Sequence, residues 1–258
     1  MLHLKVIACE IAFREICHLA AGSANLIDLE FLTQGHHDHP EQGRTEVQQK
    51  IEAVPPGKYD AILLGYGLCS NILAGLHTAH TPLVIPRAHD CITLFLGSKE
   101  RYQKLFNTRP GTYYYTSGWL ECRRRRGGKA TDSLGAFLPA NAIGVLPSTY
   151  LQWVEKYGEE KARYLVEVMD RWTEHYTHGA LIDYDFTKGL GLTEQVQRIC
   201  SDRGWKFEQI EGDLSLLQRW LAGDWPEDQF LIVPPSQQVV PTYDEKIVGL
   251  SPHDPNGE

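Results

Sequence analysis

Three cysteines each follow a short apolar stretch of the kind that forms a buried strand. They are Cys9, Cys69 and Cys91, which come after residues 2–8, 61–64 and 82–86 respectively. Because the carboxyl ends of parallel strands lie at one edge of a sheet, we expect the three thiols to lie at the same edge. Thiolates and imidazoles are the ligands of zinc and iron–sulfur sites, and His89 adds an imidazole. The sequence therefore predicts a metal site with Cys9, Cys69, Cys91 and His89 as ligands.

The pattern leaves the metal and its role open. It lacks the paired CxxC spacing of structural zinc sites, so zinc and an iron–sulfur cluster both remain candidates. Three cysteines with an exchangeable fourth position indicate a catalytic site, because structural sites are closed. Two alternatives need no metal. One is a reactive thiol at a helix start, where the helix dipole lowers the thiol pKa, and the other is three small residues tolerated at tight turns.

Two charged residues beside these cysteines are candidates for catalysis. Glu10 follows Cys9 and is interpreted either as a general base or as a carboxylate that offsets the dipole of the next helix. Arg87 follows the strand before Cys91 and suits an anionic substrate, with a surface ion pair as the alternative. Asp90 is predicted to cap the helix that begins at Cys91.

A second group of residues is predicted to contact a cofactor. Gly65, Tyr66 and Gly67 resemble half of a glycine-rich phosphate loop, although the third glycine is missing. Trp119, which follows the tyrosine-rich segment 111–116, is added as a further candidate cofactor contact.

Two charged segments have both a functional and a structural interpretation. His36, His37 and His39 have the residue types of a metal cluster, but HHDH is also typical of a solvated turn, and His37 is the one expected to face a crevice. The four arginines at 123–126 predict either a solvated loop or a lid that clamps an anionic ligand.

Composition restricts the class of protein. The chain has 258 residues, of which 42% are hydrophobic and 22% charged, as in a folded globular protein. A formal net charge of −8 argues against a nucleic-acid-binding surface. No stretch reaches the roughly 18 apolar residues of a membrane span, and no signal-peptide pattern precedes the first strand. We therefore expect a cytoplasmic protein whose six cysteines are not a disulfide framework.

Strands and helices alternate along most of the chain, which predicts right-handed crossovers and parallel sheets. We expect an α/β protein with two Rossmann-like lobes, mostly parallel sheets and a crevice between the lobes. The predicted divisions are an N-terminal lobe at 1–122, an irregular segment with bridging helices at 123–176, a C-terminal lobe at 177–243 and a loose tail at 244–258.

Several motifs together resemble one protein family. CE after the first strand, LGYGLCSN, RAHDCITLFLGS, GTYYYTSGW, GWKFEQIEGDLSLLQRWL and FLIVPP are similar to the domain-of-unknown-function family 1638. The resemblance implies that Cys9, Cys69, His89 and Cys91 belong to shared motifs, and it implies no established reaction. Family members are often found beside corrinoid-dependent methyltransfer systems.

These observations lead to three hypotheses about function. The first is a metal-thiolate enzyme that acts on a small anionic molecule or a thiol, with one-carbon or methyl transfer as the reaction class. Thiol methyltransferases that use zinc have a similar spacing of His-x-Cys and a more distant Cys. The second is a non-catalytic accessory protein that binds a metal, a cluster or a corrinoid for a partner such as a methyltransferase. The third is a crevice that binds a small molecule without metal.

Overall fold

The computed structural model describes residues 1–37, 39–68, 71–125, 154–155, 158–161, 176–242 and 244–253. The strands are β1 (His3–Cys9), β2 (Leu26–Leu32), β3 (Ala61–Gly65), β4 (Leu83–Pro86), β5 (Thr112–Tyr115), β6 (His178–Asp183), β7 (Lys206–Glu211), β8 (Phe230–Val233), β9 (Gln237–Pro241) and β10 (Val248–Pro252). The helices are α1 (Phe13–Ala21), α2 (Pro40–Glu52), α3 (Ile92–Leu96), α4 (Lys99–Thr108), α5 (Ser117–Arg125), α6 (Leu192–Arg203) and α7 (Ser215–Ala222). Short 3-10 helices occupy Glu10–Ala12, Gln34–His37 and Asp185–Thr187.

The first sheet has five strands in the order β2-β1-β3-β4-β8. The first four strands are parallel, and β8 pairs antiparallel with β4. Both β3 and β4 are buried along their whole length, as expected for apolar strands covered on both faces. The mixed α/β class with a mostly parallel sheet is therefore confirmed.

The strand order of this sheet reverses between β1 and β3. After β1 the chain crosses to β2 on one side, and after β2 it crosses to β3 on the other side of β1. At such a reversal the two connecting segments leave in opposite directions, and a crevice opens at the carboxyl ends of the two strands. Cys9 ends β1 at this point, and Tyr66 follows β3 there.

Helix α2 covers the face of this sheet to which the Cys9 side chain belongs. Val47 and Ile51 of α2 pack with Ile7 and Leu64 of the sheet in one buried cluster. Cys9 packs against the edge of the same cluster. Side chains that point to this face alternate with those that point away, as the two-residue period of a strand requires.

The second sheet contains β5, β6 and β7, all parallel. Its core holds Tyr113 and Tyr115 of β5, Val196 and Cys200 of α6, and Trp205. Cys200 is fully buried and burial raises its thiol pKa, which makes it a structural residue rather than a reactive one.

The chain divides into two compact units, and the division differs from the predicted lobes. Met1–Tyr102 and Asp213–Glu258 form one unit, and Gln103–Gly212 forms the other. The segment predicted as a lobe at 177–243 is thus divided after Gly212, because β8 pairs with β4 of the first sheet. Alternation of strands and helices along a sequence does not specify which sheet a strand joins.

The prediction of a loose tail is wrong for residues 244–253. Strand β10 pairs antiparallel with β9, and Ile247 and Val248 are fully buried in the core of the first unit. Only two large apolar residues carry this packing, so the segment lacks the periodicity that predicts a strand. Residues 254–258 lie outside the described residues.

Other predictions fall near or on segments that the structure describes only in part. In place of the short helix expected after Cys69, Asn71 has 3-10 helical conformation and residues 72–75 form turns, while residues 69 and 70 lie outside the described residues. The arginine segment begins inside α5, where Arg125 lies 3.7 Å from Glu121, and Arg126 lies outside the described residues. Most of the bridging segment at 123–176 also lies outside them.

No helix in the described ranges is both long and apolar enough to span a membrane.

Candidate thiolate site at the carboxyl edge of the first sheet

Cys9 is the last residue of β1 and immediately precedes a 3-10 helix. Its neighbour Ala8 pairs with Gly65 of β3, so the register of the parallel pair places Cys9 beside Tyr66. The Cys9 side chain is half-buried. The thiol therefore lies where β1 and β3 diverge, at the reversal point of the sheet.

Cys91 lies at the start of α3, just beyond β4, and is half-buried. His89, two residues earlier, is exposed. The backbone amide of Leu68 donates a hydrogen bond to the carbonyl oxygen of Ala88 over 2.8 Å, which extends the pairing of the two chains beyond β3 and β4. Cys69 itself lies outside the described residues, and Leu68 is its immediate neighbour.

Gly67 brings the segments before Cys69 and Cys91 into direct contact. A Cβ atom at Gly67 would lie 2.6 Å from both the Cα and the carbonyl carbon of Asp90. No side chain fits at that distance from a backbone, so only glycine permits this approach. The residue two positions before Cys69 thus contacts the residue one position before Cys91.

Gly65 has a similar role between β1 and β3. A Cβ atom there would lie 2.6 Å from the Ala8 Cβ and 3.1 Å from the ring of Trp220. The two glycines of the Gly65-Tyr66-Gly67 segment are thus explained by close packing. Their predicted role in cofactor binding stays a prediction.

Tyr66 carries a buried hydroxyl at this edge. The residue is 7% exposed, and its hydroxyl has no hydrogen-bond partner among the residues that the structure describes. Burial raises the pKa of Tyr66 well above its ordinary value, and the negative charges of Cys9, Glu46, Glu10 and Glu30 raise it further. The hydroxyl therefore stays protonated and is available as a donor.

Glu10 connects the ends of β1 and β2. Its Oε1 accepts hydrogen bonds from the Gln34 amide over 2.8 Å and from the Thr33 hydroxyl over 3.2 Å. Glu10 is also the first residue of the 3-10 helix after Cys9. This carboxylate thus holds the segment after β2 against the thiol-bearing end of β1, a role that neither sequence interpretation included.

Arg87 is placed differently from both of its predicted roles. It is 6% exposed, and its guanidinium donates to the carbonyl oxygens of Glu227 over 2.7 Å, Lys246 over 2.8 Å, and Val248. Burial lowers its pKa. The prediction of a surface ion pair is wrong, and these bonds hold the C-terminal segment rather than an anionic substrate. Nothing in the local sequence indicates that this segment returns to β4.

Asp90 caps the helix after Cys91, and this prediction is confirmed. Its Oδ1 accepts from the Ile92 amide over 3.0 Å, and its Oδ2 accepts from the Tyr102 hydroxyl over 3.0 Å. Burial raises the pKa of Asp90 despite these bonds.

The histidine-rich loop contributes His36 to the same face of the sheet. His36 is buried, and its Nε2 lies 2.8 Å from the Glu46 carboxylate of α2. His37 is half-buried and His39 is exposed. Sequence reasoning favoured His37, because it had no signal for the contact between this loop and Gly43 of α2.

Sequence reasoning also missed the carboxylates on this face. Glu30 of β2 lies 2.7 Å from Lys5 and 2.7 Å from Lys50, and Glu46 lies one helical turn before Lys50. The alternating acidic residues Asp28 and Glu30 within an apolar strand could have indicated a polar stripe.

Trp119 belongs to the second unit. It lies in α5, is buried, and donates its backbone amide to the Thr116 hydroxyl over 3.4 Å. Its carbonyl accepts a bond from the Cys122 thiol over 3.3 Å. Its predicted cofactor contact stays a prediction.

Within the described residues, no group of three or more His, Cys, Asp or Glu side chains is placed to hold a metal ion. Cys9, His89 and Cys91 are among those residues and do not form such a group, while Cys69, the fourth predicted ligand, lies outside the described residues. Thiols and an imidazole have the donor chemistry of zinc and iron–sulfur sites, and metal binding by this set stays a prediction.

Comparison with known proteins identifies a family. A family model described as "Protein of unknown function (DUF1638)" matches residues 31–221, well over half of the chain. Cys69, His89 and Cys91 lie inside this range, and Cys9 lies before it. No curated protein and no solved structure matches the chain. The chain therefore belongs to the domain-of-unknown-function family 1638.

Proposed function

We propose that this protein is a metal-thiolate enzyme that holds zinc or an iron–sulfur cluster through Cys9, Cys69 and Cys91, with His89 as the candidate fourth ligand. The observation that carries the proposal is the contact of Gly67 with the backbone of Asp90, where an added Cβ would lie 2.6 Å away. Gly67 lies two residues before Cys69, and Asp90 lies one residue before Cys91. Their approach supports the proposal that both cysteines bind the same metal.

Cys9 is the third thiol in the proposal, and the sheet register supports its inclusion. Ala8 pairs with Gly65, and Cys9 packs against the buried cluster that contains Tyr66. Neighbouring strands lie about 4.8 Å apart, so the ends of β1, β3 and β4 span roughly 10 Å, a distance that side chains and a metal bridge together.

The bound group would supply Lewis acidity or electron transfer at this edge. The residues of the chain would bind and orient its ligands, and Glu10 would keep the end of β1 in place through its bonds to Thr33 and Gln34. Since the guanidinium of Arg87 is bonded to backbone carbonyls, a thiol is a better substrate candidate than a small anion that would rely on Arg87. The proposal also includes the predicted Rossmann-like arrangement of two lobes with a crevice between them.

A second candidate is a non-catalytic accessory protein that carries a metal, a cluster or a corrinoid for a partner protein such as a methyltransferase. The exposure of His89 favours it, because a ligand at the surface is accessible to another protein. A coordination position that exchanges with small thiols would distinguish the enzyme from the carrier.

The test is elemental analysis and visible absorption of anaerobically purified protein. We expect stoichiometric zinc without colour, or iron with thiolate-to-iron absorption. Cys9→Ser, Cys69→Ser and Cys91→Ser should each lose metal. Cys17→Ser, which changes a half-buried cysteine on α1, is the matched control and should retain it. Folded wild-type protein without zinc or iron, or metal retained in all three variants, would exclude the proposal.

A further inference from the structure

Two histidine rings stack at the open end of the C-terminal hairpin, where β9 begins and β10 ends. The ring centroids of His77 and His253 lie 3.6 Å apart, and the ring planes are 16° from parallel. His253 follows β10, and its backbone amide donates a hydrogen bond to the carbonyl oxygen of Ser236 over 3.0 Å. His77 forms an isolated antiparallel bridge with Gln238 of β9. The ring contact thus joins the chain after β10 to the segment before β4.

The hydrogen bonds of His77 specify a neutral ring. Its backbone amide donates to Gln48 Oε1 over 3.2 Å, which fixes the orientation of the Gln48 amide group. Gln48 Nε2 then lies 3.5 Å from His77 Nε2, so this ring nitrogen is the acceptor. His77 Nδ1 lies 3.2 Å from the carbonyl oxygen of Gly75 and donates to it. A proton added at Nε2 would face the amide hydrogens of Gln48 and break this arrangement.

The surroundings of the two rings supply little to offset added charge. Gln48, Gln238 and Ser236 contribute uncharged groups to them. The carboxylate of Glu52 on α2 is exposed and accepts a bond from Gln48 Nε2 over 2.9 Å. Asp254 follows His253 in the sequence and lies outside the described residues.

Protonation of both rings would place two cations face to face. Imidazole is the side chain that ordinarily changes charge between about pH 5 and 8, and both rings are half-buried, so solvent protons reach them. Like charges about 4 Å apart repel even in water. The stacked state of His77 and His253 therefore binds fewer protons than a separated state, and its stability rises with pH.

We propose that His77 and His253 form an acid-sensitive latch, which holds the open end of the C-terminal hairpin at neutral pH and releases it in acid. The other end of the hairpin is held by Arg87, whose guanidinium donates to the carbonyl oxygens of Lys246 and Val248. A guanidinium stays charged throughout this pH range. Release is therefore confined to the end that the histidines close.

The test is hydrogen exchange of the full chain, followed by NMR at about pH 7.5 and pH 5. After correction for intrinsic exchange rates, the protection of the His253 amide should fall about fivefold or more in acid. The Thr242 amide, which donates to the Ile247 carbonyl oxygen over 2.9 Å near the other end, should change by less than about twofold. Ring protons of both histidines should lose their upfield ring-current shifts over the same pH interval.

Three variants separate the charge of the latch from its packing. His253→Phe retains a ring that stacks but takes no proton, so the open end should stay protected at both pH values. His253→Ala removes the ring, so protection should be low at both. The matched control is His80→Gln, which changes a half-buried histidine whose Nδ1 lies 2.8 Å from the Thr81 hydroxyl, and it should respond to acid as wild type does. Thermal unfolding monitored by circular dichroism verifies that each variant is folded.

Three results would overturn the inference. Equal protection of the His253 amide at both pH values in wild type would show that the latch does not open. Loss of protection in acid by His253→Phe would assign the response to another group. A parallel loss at Thr242 would show that acid destabilises the whole hairpin or the whole unit, and not the end at which the histidines stack.

Discussion

Gly67 and Asp90 approach so closely that a Cβ atom on Gly67 would lie 2.6 Å from the Cα of Asp90. The contact joins the segment after β3 to the segment after β4, and each of these segments leads to a cysteine. Asp90 is itself held by the Ile92 amide and the Tyr102 hydroxyl, so it cannot move aside freely. The geometry at this edge of the sheet thus depends on the absence of a side chain at one position.

Replacing Gly67 by alanine is the direct test of this contact. The added methyl group must displace the backbone of Asp90, and such overpacking costs about 1–3 kcal/mol of unfolding free energy. Urea denaturation monitored by circular dichroism measures the loss. Gly22→Ala is the control, because nothing lies within 4 Å of the added Cβ and Gly22 has a φ of −102°. Equal stability of Gly67→Ala and wild type would contradict the described contact.

Arg87 is expected to stabilise the C-terminal hairpin. Arg87→Met removes the guanidinium donors to three backbone carbonyls, which should lower the unfolding free energy by roughly 3 kcal/mol. Arg87→Lys should not restore stability, because one ammonium cannot replace the fork of a guanidinium. Denaturant unfolding and hydrogen exchange of residues 244–253 measure the effect.

The control for Arg87 is Arg219→Met, which changes a half-exposed arginine whose Nε lies 3.5 Å from Asp224. Its unfolding free energy should stay within about 0.5 kcal/mol of wild type. Rapid exchange in Arg87→Met should be confined to the hairpin and β8. If the hairpin remains protected in that variant, Arg87 does not hold it.

The carboxylate of Glu30 makes the unfolding free energy of the protein depend on pH. Burial raises the pKa of Glu30, but hydrogen bonds from Lys5 and Lys50 outweigh it and place the pKa below the ordinary 4.5. A carboxylate with a lowered folded-state pKa stabilises the fold above its unfolded pKa, and the contribution is lost as pH falls through the folded pKa. Glu30→Gln should therefore lower the unfolding free energy by about 1 kcal/mol at pH 7. Well below pH 4.5 the unfolding free energies of the variant and the wild type should be nearly equal.

Urea denaturation of Glu30→Gln and wild type over a range of pH measures this difference. Glu52→Gln on α2 serves as the comparison, since Glu52 is exposed and accepts a bond from the Gln48 side chain. The unfolding free energy of Glu52→Gln should stay close to that of the wild type at every pH. A difference between Glu30→Gln and wild type that persists unchanged into acid would show that the two lysine contacts do not stabilise the fold.

Local patterns in the sequence were sufficient to predict the central strands and one cap. β3 and β4 are apolar throughout and bounded by breaker residues, so their position follows from burial alone. Asp90 stands directly before a helical segment, and its capping role is likewise local. The cysteines at the ends of β1 and just beyond β4 were located by the same reasoning.

Features that depend on distant parts of the chain could not be predicted. β8 joins the first sheet although Phe230 lies 144 residues after its partner Pro86 in the chain. Arg87 likewise bonds to the carbonyl of Val248, which lies 161 residues away. The burial of His36 depends on its approach to Gly43 of α2, where an added Cβ would lie 2.6 Å from the His36 Cβ. Local periodicity contains no information about such contacts.

The central claim is that three cysteines from separate strand ends bind one metal centre, and X-ray absorption at the metal edge of anaerobically purified protein tests it directly. For a zinc ion we predict about three sulfur scatterers per metal at about 2.3 Å in wild type, and for an iron–sulfur cluster about four per iron, because sulfides add to the cysteine sulfurs. Cys69→Ser should contain less metal, any zinc that it retains should have one sulfur fewer, and Cys17→Ser should match wild type. A metal surrounded only by nitrogen and oxygen, or a sulfur count that is the same in Cys69→Ser, would contradict the account.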